Sequence, residues 1–298
     1  MISQLEKEVT LRFLRSRKKD GFLNVISIFS FIGISLGVAV LIIVMSVMNG
    51  FRTELVNKII GFNSHLTIKP YSKKIDVNKL QNEKILNNLN YSLESNSGEA
   101  VILKNDTTKG ILLRGYSKLD FEKLEIINNE NFNGIKNSLQ KNSISIGKEL
   151  SFSLDLEIGD NVVLMSPSSL DTIIGSLPRQ KSFIITSIFD SGLADFDNNI
   201  AFINLNSLEE FFNYSSDDRN LELFLKDPQN IENQKEITQR IFEDEFVYSW
   251  ADMNSSLFSA LKVERNVMFI ILSLIIIVAA FNIISGLTIL VKNKTKDI

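Results

Sequence analysis

The sequence predicts a membrane protein of the α+β class, in which two transmembrane helices with amphipathic stalks flank a mixed α/β extracytoplasmic domain of two subdomains. Two uncharged apolar stretches of the 298-residue chain, 23–50 and 267–291, support this prediction. Each is long enough to cross a hydrocarbon core of about 30 Å as a helix. The region between them is rich in Asn, Ser, Lys, Asp and Glu, which indicates a domain exposed to water.

The composition excludes several classes of function. The net charge is −3, with 32 basic and 35 acidic residues, which argues against a dedicated nucleic-acid-binding protein. The chain has no cysteine, so it forms neither disulfides nor thiolate metal sites. Its one histidine, His65, cannot build a multi-histidine metal site. We expect His65 to be structural.

The N-terminal segment, 1–22, is predicted to be a cytoplasmic amphipathic lead-in. Leu5, Val9 and Phe13 recur at helical spacing, and six basic residues outnumber three acidic ones up to Asp20. Such a helix can lie on the membrane with its basic face on anionic lipid. A simple solvated lead-in is the alternative. The basic cluster also predicts that the N-terminus is cytoplasmic.

Residues 23–50 are predicted to be the first transmembrane helix, retained because they exceed the apolar region of a signal peptide. Within it, Gly33 and Gly37 have the spacing that lets another helix approach closely, although glycine is common in membrane helices. The helix continues as an amphipathic stalk over 51–62, and a second stalk covers 253–266. The second transmembrane helix, 267–291, leads into 292–298, whose three lysines indicate that the C-terminal end is also cytoplasmic.

The central region mixes strand and helix patterns. We expect helices at 76–89, 147–154, 205–213 and 231–242, and loops after residue 89 and over 166–181. The predicted strands are 65–68, 100–103, 110–116, 143–146, 161–165, 182–189, 199–203, 221–225 and 246–250. Both ends of the region join stalks, so they must lie together. We therefore predict one subdomain from 63–100 and 218–252, and a second, inserted one from 101–217.

The motifs of common catalytic sites are absent from the sequence. It has no G-x-x-x-x-G-K-[ST] phosphate loop, and no G-x-S-x-G, HExxH or CxxC. The carboxylate pairs Glu209/Glu210 and Asp217/Asp218 are expected to be solvated surface. We predict a non-catalytic subunit without cofactor or metal, whose energy comes from a partner protein.

Sequence motifs at both ends of the chain resemble one family. These are LRSRKKDGF at 14–22, IGISLGV at 32–38, VMSVMNGF at 44–51, VMFIILSL at 267–274, AAFNIIS at 279–285 and VKNKTKDI at 291–298. IGKEL at 146–150, Gly159-Asp160 and PRQKSF at 178–183 fit more loosely. Together they resemble the lipoprotein-releasing permeases of Gram-negative bacteria, the LolC/LolE type, over essentially the whole chain.

This resemblance implies a permease subunit of the bacterial inner membrane with a large periplasmic domain. The implied partners are a separate ABC ATPase, a second permease subunit, a periplasmic lipoprotein carrier, the lipoprotein substrate and membrane lipid; no nucleic acid is implied. Members of the family have four membrane helices, whereas this sequence has two and stops where the first cytoplasmic coupling segment should begin. We therefore expect a fragment or a split gene.

The resemblance also implies three sites. A protruding loop, 166–181, would hold the carrier through Pro167, Leu170, Ile173, Ile174, Leu177, Pro178 and Arg179; an ordinary hairpin loop is the alternative. A lipoprotein cavity would be lined by Met45, Met48, Phe51 and Leu55, facing Met268, Ile271 and Leu272, although such side chains also commonly face lipid. The segment that couples to the ATPase would contain Lys292, Lys294, Lys296 and Asp297.

Two other functions are compatible with the same features. A related exporter or cell-division permease could carry different cargo. A two-helix membrane sensor would need a cytoplasmic signalling region after residue 291. The sequence does not distinguish the LolC-like branch from the LolE-like branch.

Overall fold

The computed structural model describes residue 8 and residues 21–104, 107–128, 130–136, 139–172, 175–228 and 231–294. Within these segments the side chains are described except at 21–30, 167–177, 282, 286–287 and 289–294. The chain divides into two compact units. One unit is Met1–Glu54 with Ser256–Ile298, and the other is the central domain, Leu55–Ser255.

In the described part of the chain, two long helices bracket a domain of ten strands and short helices. In chain order, the elements are α1 (Gly21–Phe62), β1 (Leu66–Lys69), α2 (Glu83–Leu86), β2 (Leu89–Lys104), β3 (Thr107–Tyr116), α3 (Lys118–Phe121), β4 (Asn133–Gly134), β5 (Ser143–Gly147), α4 (Lys148–Leu154), β6 (Asn161–Thr172), β7 (Gly175–Phe189), α5 (Ala194–Asn199), β8 (Ile200–Asn204), α6 (Leu205–Phe212), β9 (Asn220–Leu225), α7 (Ile231–Ile241), β10 (Phe246–Ser249), α8 (Trp250–Met253) and α9 (Ser255–Lys294).

Helices α1 and α9 are long and apolar enough to cross a membrane, by length and composition, over Phe31–Phe62 and Ser255–Ser285. Almost none of the side chains in their most apolar windows is buried by the rest of the chain, unlike those of a core helix in a soluble protein. Helix α1 continues through its predicted stalk to Phe62, whereas the second predicted stalk, 253–266, is interrupted at Asn254, between α8 and α9. The stalks as separate segments stay a prediction.

Six strands of the domain close into a barrel. Around the ring, β2 pairs with β3, β3 with β8, β8 with β5, β5 with β7, β7 with β6, and β6 with β2 again. The β3–β8 and β5–β7 pairs are parallel and the other four are antiparallel. Within the closed ring these strands have no free edge, which removes a common site of unwanted pairing there.

The barrel interior is a packed apolar core. Every strand of the ring contributes two buried side chains, which are Ala100 and Ile102, Ile111 and Leu113, Ile144 and Ile146, Val162 and Leu164, Phe183 and Ile185, and Ala201 and Ile203. Side chains from α4 and α6 complete the cluster, among them Leu150 and Phe211. The two-residue period of each strand therefore divides its side chains between this core and the outer face.

A sheet extension joins the barrel to the ends of the long helices. The first half of β2 pairs with β9, β9 pairs with β1, and β1 pairs with β10. Leu66, just after α1, lies opposite Ser249, just before α8. The two ends of the central region therefore lie together, as the sequence predicts.

A second apolar core packs on the outer side of the barrel. It includes Phe62 at the end of α1, Tyr116 of β3 and Phe202 of β8, with Leu124 and Ile127 from the segment that follows α3. Rings in this core lie close together: the centroids of Phe62 and Phe196 are 4.7 Å apart and stacked. Aromatic pairs at such distances contribute about 0.5–1.5 kcal/mol beyond burial.

The structure corrects several sequence predictions. The Asn/Ser-rich stretch expected to be a loop is the first half of β2, which begins at Leu89 rather than near 100. The predicted helix 76–89 is a 3-10 turn, Val77–Gln81, followed by the short helix α2. Helix α5 was not predicted. The sequence also predicts a hairpin around 105–109, and β2 and β3 pair in antiparallel fashion up to Lys104 and Thr107.

The predicted division into two subdomains is not confirmed. Strands from both predicted parts share one sheet, because β2 belongs to the barrel at one end and to the extension at the other. Residues 55–255 also form one compact unit. The boundaries at 63–100 with 218–252 and at 101–217 stay a prediction.

Candidate functional site

The segment predicted to hold a carrier is a β-ribbon. Strands β6 and β7 remain paired from Asn161–Ile184 to Thr172–Gly175. A bulge lies between Met165 and Ser169, and beyond it neither strand has another partner among the described residues. We call residues 166–181 the hairpin arm. The expected loop is thus mostly strand, because the two halves satisfy each other's backbone groups.

Five of the seven residues predicted to bind the carrier lie on the two strands of this arm. Ile173 and Ile174 fall outside the described residues, and the side chains of Pro167, Leu170 and Leu177 are not described. Pro178 is exposed, as expected, whereas Arg179 is half-buried. Arg179 was expected to be an exposed basic residue of the loop. Its guanidinium instead donates to the backbone carbonyls of Glu210 and of Phe211, the latter at 3.2 Å.

Arg179 fastens the base of the arm to the C-terminal end of α6. The last carbonyls of a helix lack partners within the helix and carry partial negative charge, so a cation is favourable there. Beside it, Lys181 Nζ lies 3.1 Å from Glu210 Oε2, and Lys141 Nζ lies 3.7 Å away. The hydrogen bond from Lys181 is the main cause of the lowered pKa of Glu210.

The residues predicted to line a lipoprotein cavity lie on α1 and α9. Met45, Phe51 and Ile271 are exposed. The half-buried members are Met48, Leu55, Met268 and Leu272. Leu55 belongs to the central domain and the other six to the helical unit. That the seven form one cavity stays a prediction.

The predicted coupling residues are at the end of α9. Lys292 and Lys294 lie in its last turn, where side chains are not described. Lys296 and Asp297 lie outside the described residues. Their role in contacting an ATPase stays a prediction.

A buried ionic cluster, which sequence reasoning missed, lies where α1 meets the sheet. Arg114 of β3 and Glu222 of β9 are 8% and 5% exposed, and Arg114 Nη2 lies 3.4 Å from Glu222 Oε1. Tyr116 accepts from Arg114 at 2.5 Å and donates to Glu222 at 2.9 Å. Burial raises the pKa of Tyr116 well above its ordinary value, so its hydroxyl keeps its proton. We call Arg114, Tyr116, Glu222, Ser95 and Asn63 the junction cluster.

A sequence signal for this cluster does exist. Arg114 interrupts the apolar strand ILLRGY and Glu222 interrupts NLELFL. A charge in the middle of an apolar strand is rare unless it is paired, so opposite charges in two such strands suggest one buried ion pair.

His65 connects the end of α1 to the sheet. Its Nδ1 accepts a hydrogen bond from the backbone N–H of Leu225 at 2.7 Å. Burial lowers the pKa of His65 to about 4, partly offset by a hydrogen bond with the backbone of Ile60. The hydrogen bond accepted from Leu225 also favours the neutral ring. The imidazole is therefore neutral at pH 7, as expected for a structural histidine.

A separate cleft of about 340 Å³ lies between the N-terminal ends of α3 and α6. Arg219 lines it, and its guanidinium is held by Glu209 at 2.6 Å and by Glu94 at 2.8 Å. Glu209 is thus a paired residue rather than the solvated carboxylate expected from the sequence. Within the described part of the chain, no three His, Cys, Asp or Glu side chains are grouped so as to hold a metal ion.

Comparison with known proteins defines the class. The profile of the MacB-like periplasmic core domain matches residues 27–240. The chain is similar to the lipoprotein-releasing system transmembrane protein LolC of Neisseria meningitidis, with 31% identity over 99% of this chain and 72% of that protein. It is also similar to LolE of Haemophilus influenzae, with 27% identity over 97% of this chain and 72% of that protein.

The chain is therefore a membrane protein with a MacB-like periplasmic core domain. It belongs to the LolC/LolE family of transmembrane permease subunits. The periplasmic region of MacB from Actinobacillus actinomycetemcomitans aligns in structure with 67% of this chain and 94% of that chain, at a TM-score of 0.41 and 8% identity.

Proposed function

We propose that this chain is a permease subunit of an ATP-driven complex that extracts lipoproteins from the inner membrane and passes them to a periplasmic carrier. The observation that supports this most strongly is the 31% identity to a LolC protein over 99% of the chain, which includes both apolar helices and the whole domain. A separate ABC ATPase hydrolyses the ATP, and a second permease subunit completes the complex. The chain itself binds and guides the cargo.

In this proposal both termini are cytoplasmic and the domain is periplasmic. The basic residues before α1 and at the end of α9 support that orientation, since such residues are retained on the cytoplasmic side. The lipoprotein's acyl chains leave the bilayer beside Met45, Met48 and Phe51 of α1 and Met268, Ile271 and Leu272 of α9, and Leu55 of α1 also contributes. Flexible methionine side chains suit acyl chains of varied shape. The last turn of α9 begins the contact with the ATPase.

The hairpin arm is the proposed site for the carrier. It is a two-stranded ribbon that pairs with no further strand of the described residues beyond its bulge, and Arg179 holds its base to α6. A ribbon of this kind can reach a soluble partner while its base stays fixed.

Site-specific photocrosslinking tests the arm. A photoreactive residue at Leu170 or Leu177 should capture the carrier, whereas one at Phe152, which is 72% exposed on α4, should not. Equal capture from all three positions would contradict a specific role of the arm.

Depletion of the protein in its own cell tests the transport function. Outer-membrane lipoproteins should then accumulate in the inner membrane. Expression of the gene as it stands in its own genome should restore the transfer of lipoproteins to the outer membrane. Correct sorting after depletion would overturn the proposal. It would favour a second candidate, a related exporter with other cargo, for which the MacB-like core domain is the supporting observation.

A further inference from the structure

The junction cluster joins the end of α1 to three strands. Arg114 Nη1 donates to the side-chain oxygen of Asn63, the first residue after α1, at 3.3 Å. Its guanidinium carbon lies 5.7 Å from the ring centre of Phe62, the last residue of α1. On the sheet side, Glu222 of β9 accepts from Ser95 of β2 at 2.6 Å. One buried ion pair thus holds the helix end and strands β2, β3 and β9.

Stability alone is a poor explanation for this pair. Moving two charges out of water carries a large desolvation penalty, and apolar residues of similar volume often give equal or greater stability. The site also lies within an aromatic core, where Phe62, Phe202 and Phe196 already supply apolar packing. An ion pair with a planar guanidinium is directional, because its N–H groups bind only partners at set angles. An apolar contact has no such directional preference.

We propose that the Arg114–Glu222 pair is a positioning device that selects one seating of the last turn of α1 on the sheet. The two terminal nitrogens of Arg114 bind different partners: Nη1 donates to Asn63, and Nη2 donates to Tyr116 and Glu222. Without these hydrogen bonds the apolar contacts of Phe62 remain, but they tolerate small rotations and shifts of the last turn of α1. This inference does not depend on the transport function.

The deciding variant removes both charges and the guanidinium hydrogen bonds, and it keeps the polar contacts of residue 222. In Arg114→Met with Glu222→Gln, no buried charge is left unpaired, and the glutamine can still hydrogen-bond to Ser95 and Tyr116. We expect the double variant to melt close to the original protein. Each single variant should melt lower, because it leaves one buried charge without its partner.

Spin-label distances measure the seating directly. The chain has no cysteine, so Asn57→Cys with Lys118→Cys places one label near the end of α1 and one beside β3, both at exposed positions of the domain. In the full chain in detergent or nanodiscs, the original sequence should give one narrow distance. The double variant should lose it and show a broadened or second distance. An unchanged distance in a double variant that melts normally would overturn the proposal.

Two further variants keep the test decisive. Lys104→Met removes the ion pair with Asp160 at the far end of β2, away from both labels, and should leave the distance unchanged. Arg114→Lys covers the case in which the double variant does not fold, because it keeps the charge but loses the planar fork. It should also broaden the distance; a single narrow distance in that variant would count against positioning by the guanidinium.

Discussion

At the scale of single residues, His65 makes stability depend on pH. The folded protein keeps this imidazole neutral down to about pH 4, whereas the unfolded chain binds a proton below about pH 6.5. The contribution of neutral His65 to the free energy of unfolding is therefore fully present above pH 6.5 and is lost as the pH falls towards 4. Linkage predicts that the free energy of unfolding falls by about 2 kcal/mol when the pH is lowered from 7.5 to 5. Denaturant titration followed by fluorescence of the buried Trp250 should measure it.

The matched variant is His65→Asn, whose side-chain oxygen can still accept from the backbone of Leu225 but cannot titrate in this range. It should remove most of the pH dependence between 7.5 and 5. Carboxylates with lowered pKa values, such as Asp252, lose their contribution only at lower pH and remain in both proteins. The same slope in the variant and in the original would mean that His65 is already protonated or exposed.

Gly147 is a second single-residue prediction. A Cβ added there would lie 2.1 Å from the backbone oxygen of Asp197, at the contact of β5 with α5. Backbone cannot move aside as a side-chain tip can, so Gly147→Ala should destabilise the protein by about 3 kcal/mol. Gly110→Ala is the control, because a Cβ added there would have no atom within 4 Å apart from its own residue and its chain neighbours. Equal melting temperatures for the two variants would show that the β5–α5 contact is looser in solution.

At the scale of elements, the hairpin arm depends on its anchor. Arg179→Ala removes the donor to the last carbonyls of α6. It should lower the free energy of unfolding by about 1 kcal/mol, since the site is half-buried. Amide exchange should rise at the end of α6 and at the base of the arm. Arg240→Ala is the control, because its side chain is 80% exposed and pairs only weakly with Glu236. Unchanged exchange in Arg179→Ala would indicate that the arm is held by its strands alone.

The edge strand β10 shows how the sheet extension ends. Its backbone N–H groups at Val247 and Ser249 donate to the side chains of Gln239 and Asp252, at 3.2 and 2.8 Å. Side chains thus occupy donors that another strand could have used. This protects the extension from edge-to-edge pairing, as closure protects the barrel strands.

At the scale of the whole molecule, the predicted topology is open to a direct test. Because the chain has no cysteine, Glu8→Cys and Lys84→Cys each provide a single thiol on either side of α1. In spheroplasts, a membrane-impermeant maleimide should label the thiol at position 84 at once and the one at position 8 only after lysis. The opposite pattern would reverse the orientation and remove the basis for the transport proposal.

Elements formed by contacts between residues close in the sequence could be predicted, and elements formed by contacts between distant residues could not. Helices α1 and α9 were evident because apolarity over many residues is a local property, and the helix α4 after β5 followed from its spacing. The first half of β2 was not evident. Ser95 and Asn96 resemble loop residues, yet both are buried, and Ser95 bonds Glu222 on a distant strand.

The proposed sites show the same division. The sequence located the arm between β6 and β7, but it could not show that Arg179 turns back to α6, since residues 179 and 210 are far apart in the chain. Nor did it bring Arg114 and Glu222 together, although each is an unusual charge in an apolar strand. Arg114 and Glu222 meet only because β2 lies between β3 and β9 in the folded sheet.

The sequence by itself determined that two apolar helices flank a polar α/β domain, and its motifs pointed to the family. These features rest on composition and on periods of a few residues. Only the tertiary structure decided that six strands close into a barrel, that the presumed loop is a ribbon, and that a buried ion pair holds the end of α1. Closure, pairing and burial bring together residues that are far apart in the chain, and so they are not encoded at any one position.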